Sequence, residues 1–246
     1  MKFELDHFNG VIIDPSSLST AIEELKADIE DLLAYLGSNG KSLAWISLPI
    51  IRSESIPLFV SAGFTFHSCV REELTLVRQP SESAFVPFIP THTIGASAIV
   101  LNESSEILLV KERGTTGFKL PGGYVESGEK IQHSVQREVL EETGIQTTFE
   151  SIVGFITRHT HQLGKSNLHF ICRMKSLSQA ISILDTAEIE DAKWVSLSSY
   201  ISESGNSLTD RQLVSAVTCG AGLIATDFTG NIGPHRRDEI YISRNP

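Results

Sequence analysis

Residues Gly122 to Gln146 read GGYVESGEKIQHSVQREVLEETGIQ, a glycine-rich loop running into a segment of helical character. No other stretch of the chain restricts its fold as sharply. The helix is expected from about Gly128 to Glu142, and three carboxylates, Glu138, Glu141 and Glu142, crowd into its last turn. Like charges one turn apart destabilise a helix by about 0.2–0.5 kcal/mol per pair. Something must compensate them.

At about 100° per residue, Glu138 and Glu142 fall within about 20° of Ile131, with Val135 and Val139 just beyond. The acids therefore extend the apolar stripe that faces the protein body. A merely solvated acidic face would lie opposite the valines. Arg137 can pair with Glu141 four residues on, but one arginine does not satisfy three acids. Carboxylates held this way repel one another and resist desolvation. A divalent cation relieves both, and an all-oxygen set suits Mg²⁺ or Mn²⁺ rather than zinc. Ser127 is the expected N-cap. Glu129 then lies in the first turn, near the positive end of the dipole, and Gly144 is the expected left-handed residue at the C-terminus. Gly122, Gly123 and Gly128 allow close backbone approach around the helix entry. A carbonyl there can reach a metal, and N–H groups there can meet a phosphate oxygen.

The same stretch fits the pattern G-x5-E-x7-R-E-U-x-E-E-x-G-U, with U aliphatic, at every fixed position: Gly123, Glu129, Arg137, Glu138, Val139, Glu141, Glu142, Gly144 and Ile145. On these residues the chain resembles the Nudix hydrolases. The resemblance implies an α/β/α sandwich that cleaves nucleoside diphosphates linked to another moiety. It implies Mg²⁺ (or Mn²⁺) held by Glu138, Glu141 and Glu142, with the carbonyl of Gly123 as a further ligand. It gives Glu129 and Arg137 a supporting part in orienting those acids. In EIEDAKWVSL, Glu188 is the candidate for an additional ligand or general base, with Glu190 as second choice and Glu141 as the alternative base. Arg113, Lys119, Arg158 and His159 are candidates for substrate contact, as is Lys111. His159 and His161 are two apart on an expected strand and so share a face, which is a weak zinc pattern without a third ligand. The run His235, Arg236 and Arg237 is balanced by Asp238 and Glu239.

The remainder organises as two α/β blocks. Residues 3–5 and 10–14 read as strands. A helix from about Ser17 to Leu36 follows, with Gly37 at its end, and then a strand at 43–50. Residues 55–64 read as a short helix, and 66–70 with 73–79 as a hairpin. This block, 1–80, resembles the pre-Nudix domain of the antisense fibroblast growth factor Nudix protein and of plant cytosolic ADP-ribose/NADH pyrophosphatases. That resemblance implies a half-acetyltransferase-like fold. No Q/R-x-x-G-x-G/A loop for coenzyme A is present, which argues against acetyl transfer. Prolines 80, 87 and 90 disfavour regular structure across 80–95, where a linker is read at 81–94. The second block, 95–246, opens with a hairpin at 96–101 and 106–113. Strands are expected at 147–160, 167–175, 192–200 and 238–243, with a helix at 208–217.

Net charge is −10 over 246 residues, which argues against a long nucleic-acid partner. It does not exclude a phosphorylated small molecule bound through a metal. No apolar run is long enough to span a membrane. Cys69, Cys172 and Cys219 are far apart and form no CxxC pair, so reduced thiols in a cytoplasmic protein are expected. A homodimer is compatible with the first block. ADP-ribose or NADH is the substrate that the resemblance favours. The alternative reading is a nucleotide-sensing or protein-binding module with weak or no catalysis.

Overall fold

A computed structural model describes residues 1–7, 9–80, 84–162, 164–217, 220–226 and 239–243, with the side chains of 160–162 not described. The side chain of His161 and residues His235, Arg236, Arg237 and Asp238 thus lie outside the described residues. The chain divides into two compact units, Met1–Pro90 and Thr91–Pro246.

In the first unit, β1 (Phe3–Leu5) and β2 (Gly10–Ile13) pair antiparallel, and β2 runs parallel to β3 (Leu43–Pro49). The crossover between the parallel strands is α1, Ile22–Ser38. It buries Leu25, Ile29, Leu32 and Leu36, the three-to-four-residue repeat visible in the sequence. The helix starts later than the periodicity suggests. Pro15–Ser17 form a separate 3-10 turn, capped by Asp14 Oδ1, which accepts from the Ser16 amide at 2.9 Å. Gly37 lies inside α1 rather than past its end, and the left-handed backbone falls at Gly40, with φ +57°. After α2 (Ile56–Ser61) the hairpin of β4 (Thr65–Val70) and β5 (Glu73–Arg78) completes a five-stranded sheet ordered β1-β2-β3-β5-β4. Val11, Ile13, Ile46, Leu48, Phe59 and Leu76 join the α1 residues in one apolar core.

The second unit begins with β6 (His92–Leu101), four residues before the strand read from Ala96. It continues with β7 (Glu106–Glu112), the short β8 (Gly122–Tyr124) and α3 (Ile131–Thr143). The long hairpin of β9 (Thr147–Gln162) and β10 (Lys165–Ser176) follows, then β11 (Ile189–Ser196), α4 (Leu197–Ser202) and α5 (Leu208–Val217). Finally β12 (Ile224–Ala225) pairs with β13 (Tyr241–Ile242). The main sheet has the order β11-β7-β6-β10-β9, with β8 paired to β6 and β10 parallel to β6. One face carries Ala96, Ala98, Val100, Leu108, Cys172 and Met174 against Val135 and Val139 of α3. The other carries Ile99, Ile107, Leu109 and Ile171 against Tyr200 of α4 and Val214 of α5. Helices on both faces of a mixed sheet make an α/β/α sandwich. Among the described residues no helix is long and apolar enough to cross a membrane.

Helix α3 also starts later than its sequence suggests. Lys130 precedes it and offers no side-chain cap, so Ser127 is not the N-cap and Glu129 stands outside the first turn. The first amide, Ile131 N–H, instead donates to both carboxylate oxygens of Glu239, at 3.0 and 3.1 Å. The far end agrees with the sequence: Gly144 has φ +73° and its N–H donates to the Leu140 carbonyl at 2.8 Å.

Candidate active site

Three of the acids in the quoted stretch, Glu129, Glu138 and Glu141, meet one arginine. Arg137 Nε and Nη2 donate to Glu129 at 2.9 and 3.1 Å, and Nη1 donates to Glu138 at 3.0 Å and to Glu141 at 3.1 Å. Glu129 thus holds Arg137 from the loop side. Arg137 holds Glu129 well below the usual carboxylate range, and Glu129 in turn raises the guanidinium further. This arrangement is a fork-to-carboxylate pairing, stronger than a neutral hydrogen bond.

Glu142 is the buried member, with 4 % of its surface exposed. Its Oε2 accepts from the Gly122 amide at 2.8 Å. Burial pushes its carboxyl up to about 8, against the opposing pull of Lys119 and of that N–H. Burial also raises Glu138, with Arg137 opposing and Glu141 and Glu188 adding to the rise. Glu141 is the most exposed of the three. Gly123 leaves room for one of them: a Cβ on it would stand 2.6 Å from Glu138 Oε1 and would displace that carboxylate. Of the loop N–H groups, that of Gly122 is committed to Glu142.

These groups open on a cleft of about 700 Å³, lined among others by Gly123, Arg137, Glu138, Glu188, Lys119 and Arg158, a size typical of a small-molecule site. Glu188 lies on its wall, and its backbone carbonyl accepts from the Arg113 amide at 2.8 Å. Lys119 forms an ion pair with Glu112. Arg158 faces the cleft with no side-chain hydrogen bond or ion pair among the described residues.

Three sequence candidates stand elsewhere. Arg113 does not line the cleft: its Nε donates to the Thr186 carbonyl at 2.8 Å, fixing the loop that carries Glu188. His159 is exposed and outside the cleft, with Nδ1 3.5 Å from Ser166 Oγ. Strand alternation turns it away from the face that Arg158 occupies. Glu190 pairs with Lys111 at 3.3 Å. The sequence reading missed Glu112, Asn167 and His169. Asn167 is buried, donating from Nδ2 to Thr93 Oγ1 at 3.0 Å, and His169 Nε2 lies 2.7 Å from Ser97 Oγ. The signal was present: Asn167 and His169 are polar at alternate positions of the otherwise apolar run NLHFIC.

The donor set of Glu138, Glu141, Glu142 and the Gly123 carbonyl is all oxygen and anionic, which fits a hard divalent cation. The buried, proton-hungry Glu142 marks where positive charge is wanted. Among the described residues no three acidic, histidine or cysteine side chains are gathered into one metal-holding cluster, and Arg137 donates to both Glu138 and Glu141.

Fold and site together define a class, an α/β/α domain in which an acid-bearing helix lines a cleft that Lys119 and Arg158 also border. Comparison with known proteins is consistent with this. Residues 91–216 match the NUDIX domain model, and residues 1–79 match a model described as the Nudix hydrolase domain. Nudix hydrolase 2 of Arabidopsis thaliana is 34% identical over 210 residues, which cover 80% of this chain and 73% of that protein. Nudix hydrolase 8 of the same plant is 33% identical over 207 residues, covering 80% of this chain and 55% of that protein. The human nucleoside diphosphate-linked moiety X motif 6 is 31% identical over 208 residues, covering 80% of this chain and 65% of that protein. The chain thus spans little more than half of Nudix hydrolase 8. The chain belongs to the Nudix hydrolase family. Enzymes of this family generally use divalent metal cations.

Proposed function

We propose that the protein hydrolyses the pyrophosphate bond of a nucleoside diphosphate linked to another moiety, with ADP-ribose or NADH as the favoured substrates. The observation that carries this reading is the cleft itself. Its lining gathers the acids Glu138 and Glu188 and the cations Arg158 and Lys119 around one space, so a diphosphate there can be met by cations directly and by acids through a metal ion. The choice of ADP-ribose or NADH rests on the resemblance of residues 1–80 to the first domain of pyrophosphatases acting on those compounds.

Glu138, Glu141, Glu142 and the Gly123 carbonyl would hold Mg²⁺ or Mn²⁺. Bound there, the ion supplies charge neutralisation at the phosphoryl oxygens and a more acidic water. The chain's own residues do the rest. Arg158 and Lys119 donate to substrate phosphate oxygens and orient the chain of phosphates. Glu188, whose carboxylate has no hydrogen bond or ion pair among the described residues, takes the proton of the attacking water. Glu141, held by Arg137, is the second candidate for that proton. The new bond joins water oxygen to phosphorus, and the bridging P–O bond breaks to release two phosphate monoesters. Glu129 and Arg137 keep the acids in place.

The test is phosphate release, coupled to a phosphatase, from ADP-ribose, NADH, NAD, FAD, diadenosine polyphosphates, nucleotide sugars and nucleoside triphosphates, with Mg²⁺ or Mn²⁺. Metal-dependent turnover of ADP-ribose or NADH above the rest is expected, reduced by about 10²-fold or more in Glu142→Gln. Equal turnover in that variant would remove Glu142 from the mechanism. Nucleotide binding with no turnover of any compound would favour a sensor.

A further inference from the structure

Residues 182–188 lead into β11 and carry Glu188 at their end. Their first amides go to the end of α3. Ser182 N–H donates to the Thr143 carbonyl at 2.9 Å, and the N–H groups of Leu184 and Asp185 both donate to the Glu141 carbonyl, at 3.0 and 2.8 Å. A helix leaves its last carbonyls without intrahelical partners, and this segment supplies them. Gly144 permits the approach, since a Cβ on it would stand 2.3 Å from the Ser182 carbonyl oxygen. Glu141, whose carboxylate belongs to the proposed metal set, thus holds by its backbone the segment that brings Glu188 to the cleft.

Within the segment, Asp185 sets the geometry. Its Oδ1 accepts from the N–H groups of Ala187 and Glu188, both at 3.1 Å, and its carbonyl accepts from Ile189 N–H at 3.0 Å. These bonds close a turn of the kind that a short carboxylate side chain stabilises. With Thr186 N–H donating to the Leu184 carbonyl at 3.1 Å, every amide from Leu184 to Ile189 has an acceptor. From the other side, Arg113 N–H donates to the Glu188 carbonyl and Arg113 Nε to the Thr186 carbonyl, each at 2.8 Å. Ile189 is buried beyond the turn in a cluster with Val110 and Ala192. The Glu188 side chain itself is exposed, yet its charge is felt by both Glu138 and Glu142. A general base must come within about 2.6–3.2 Å of the group whose proton it takes. An exposed carboxylate meets that demand only on a fixed stem.

We propose that Asp185 is a positioning residue of the reaction, setting through its turn where Glu188 stands relative to the acids of α3. The proposal rests on the reading of Glu188 as the group that takes the proton of the attacking water.

The test uses the full chain as wild type, Asp185→Ala, Asp185→Asn, Glu188→Gln and the double variant Asp185→Ala with Glu188→Gln. kcat and KM are measured with Mg²⁺ on ADP-ribose, or on whichever compound of the panel the wild type hydrolyses. Amide hydrogen exchange is followed with metal withheld. Asp185→Ala should lose protection at Ala187 and Glu188 and lower kcat by about tenfold or more, with KM held within about twofold. Asp185→Asn keeps the acceptor oxygen and should recover most of both. In the Glu188→Gln background, Asp185→Ala should lower kcat no further, because the carboxylate it positions is gone. An undiminished kcat in Asp185→Ala, a full additional fall in the double variant, or Asp185→Asn as poor as Asp185→Ala would overturn the proposal. If Glu188→Gln alone leaves kcat unchanged, the base assignment fails and the positioning role falls with it, even where exchange still shows Asp185 holding the turn. No hydrolysis by wild type would overturn both. Should Asp185→Ala fold poorly, Arg113→Met removes the bond to Thr186 from the opposite side. It should lower kcat at constant KM, and an unchanged kcat there would count against the proposal.

Discussion

Glu142 concentrates the electrostatic tension of the site. Its ordinary value is 4.5, and burial lifts it to about 8 in the folded chain. Between those values the folded state keeps a proton that the unfolded state releases. Stability from this group is therefore full below about 4.5 and is lost as pH rises through about 8. With chelator present, urea titrations of the wild type should show lower stability at about pH 8 than at about pH 5. Glu142→Gln should flatten that slope, and adding Mg²⁺ at the higher pH should stabilise the wild type far more than the variant. Identical slopes in both proteins would show that the group does not titrate as its surroundings dictate. At this scale the sequence was most informative where partners are close along the chain. Arg137, Glu138, Glu141 and Glu142 form one local motif, and the helical period placed Glu142 inward. The pairing of Lys119 with Glu112 and of His169 with Ser97 depends on strands brought together by the fold, so no local pattern announced it.

Helix α3 shows what is lost when an element is read in isolation. Ser127 has the chemistry of an N-cap, yet the helix begins after Lys130 and takes its cap from Glu239, 108 residues away. Tyr241 steadies that carboxylate, its hydroxyl donating to Oε1 at 2.8 Å while its ring lies 5.7 Å from that of Phe149. Removing the cap by Glu239→Ala should cost about 1 kcal/mol, a drop of about 2–4 °C in the melting midpoint for a domain of this size. A scanning calorimetry midpoint equal to the wild type would rule out Glu239 as a working cap. The end of α3 was easier to read, because Gly144 must adopt a backbone that other residues resist. Gly37 misled for the complementary reason: a glycine can also sit inside a helix, at some cost, when tertiary packing decides.

The apolar cores separate by unit. One cluster is built from residues between Val11 and Leu76, and the others are built from residues beyond Ala96. Every residue lining the cleft falls between Glu112 and Glu188. A fragment from Thr91 to Pro246 should therefore unfold in a single cooperative transition and retain metal-dependent hydrolysis within about tenfold of the full chain. A folded but inactive fragment would show that residues 1–90 contribute to the reaction. The two-block organisation was visible in the sequence because each block carries its own alternation of strands and helices around proline-containing connections. The parallel pairing of β6 with β10 was not, since strands so far apart in sequence carry no mark of their partner.

That strand β10 has a double assignment. Asn167, His169 and Ile171 alternate toward the cleft and a smaller cavity that adjoins it, while Phe170, Cys172 and Met174 alternate into the core beneath α3. Its sequence is in effect two interleaved messages, one about chemistry and one about cohesion, written on odd and even positions. Substitutions can edit either message alone. A single inserted or deleted residue garbles both at once, so length variation in this lineage should be absent from β10 and confined to the turns at its ends.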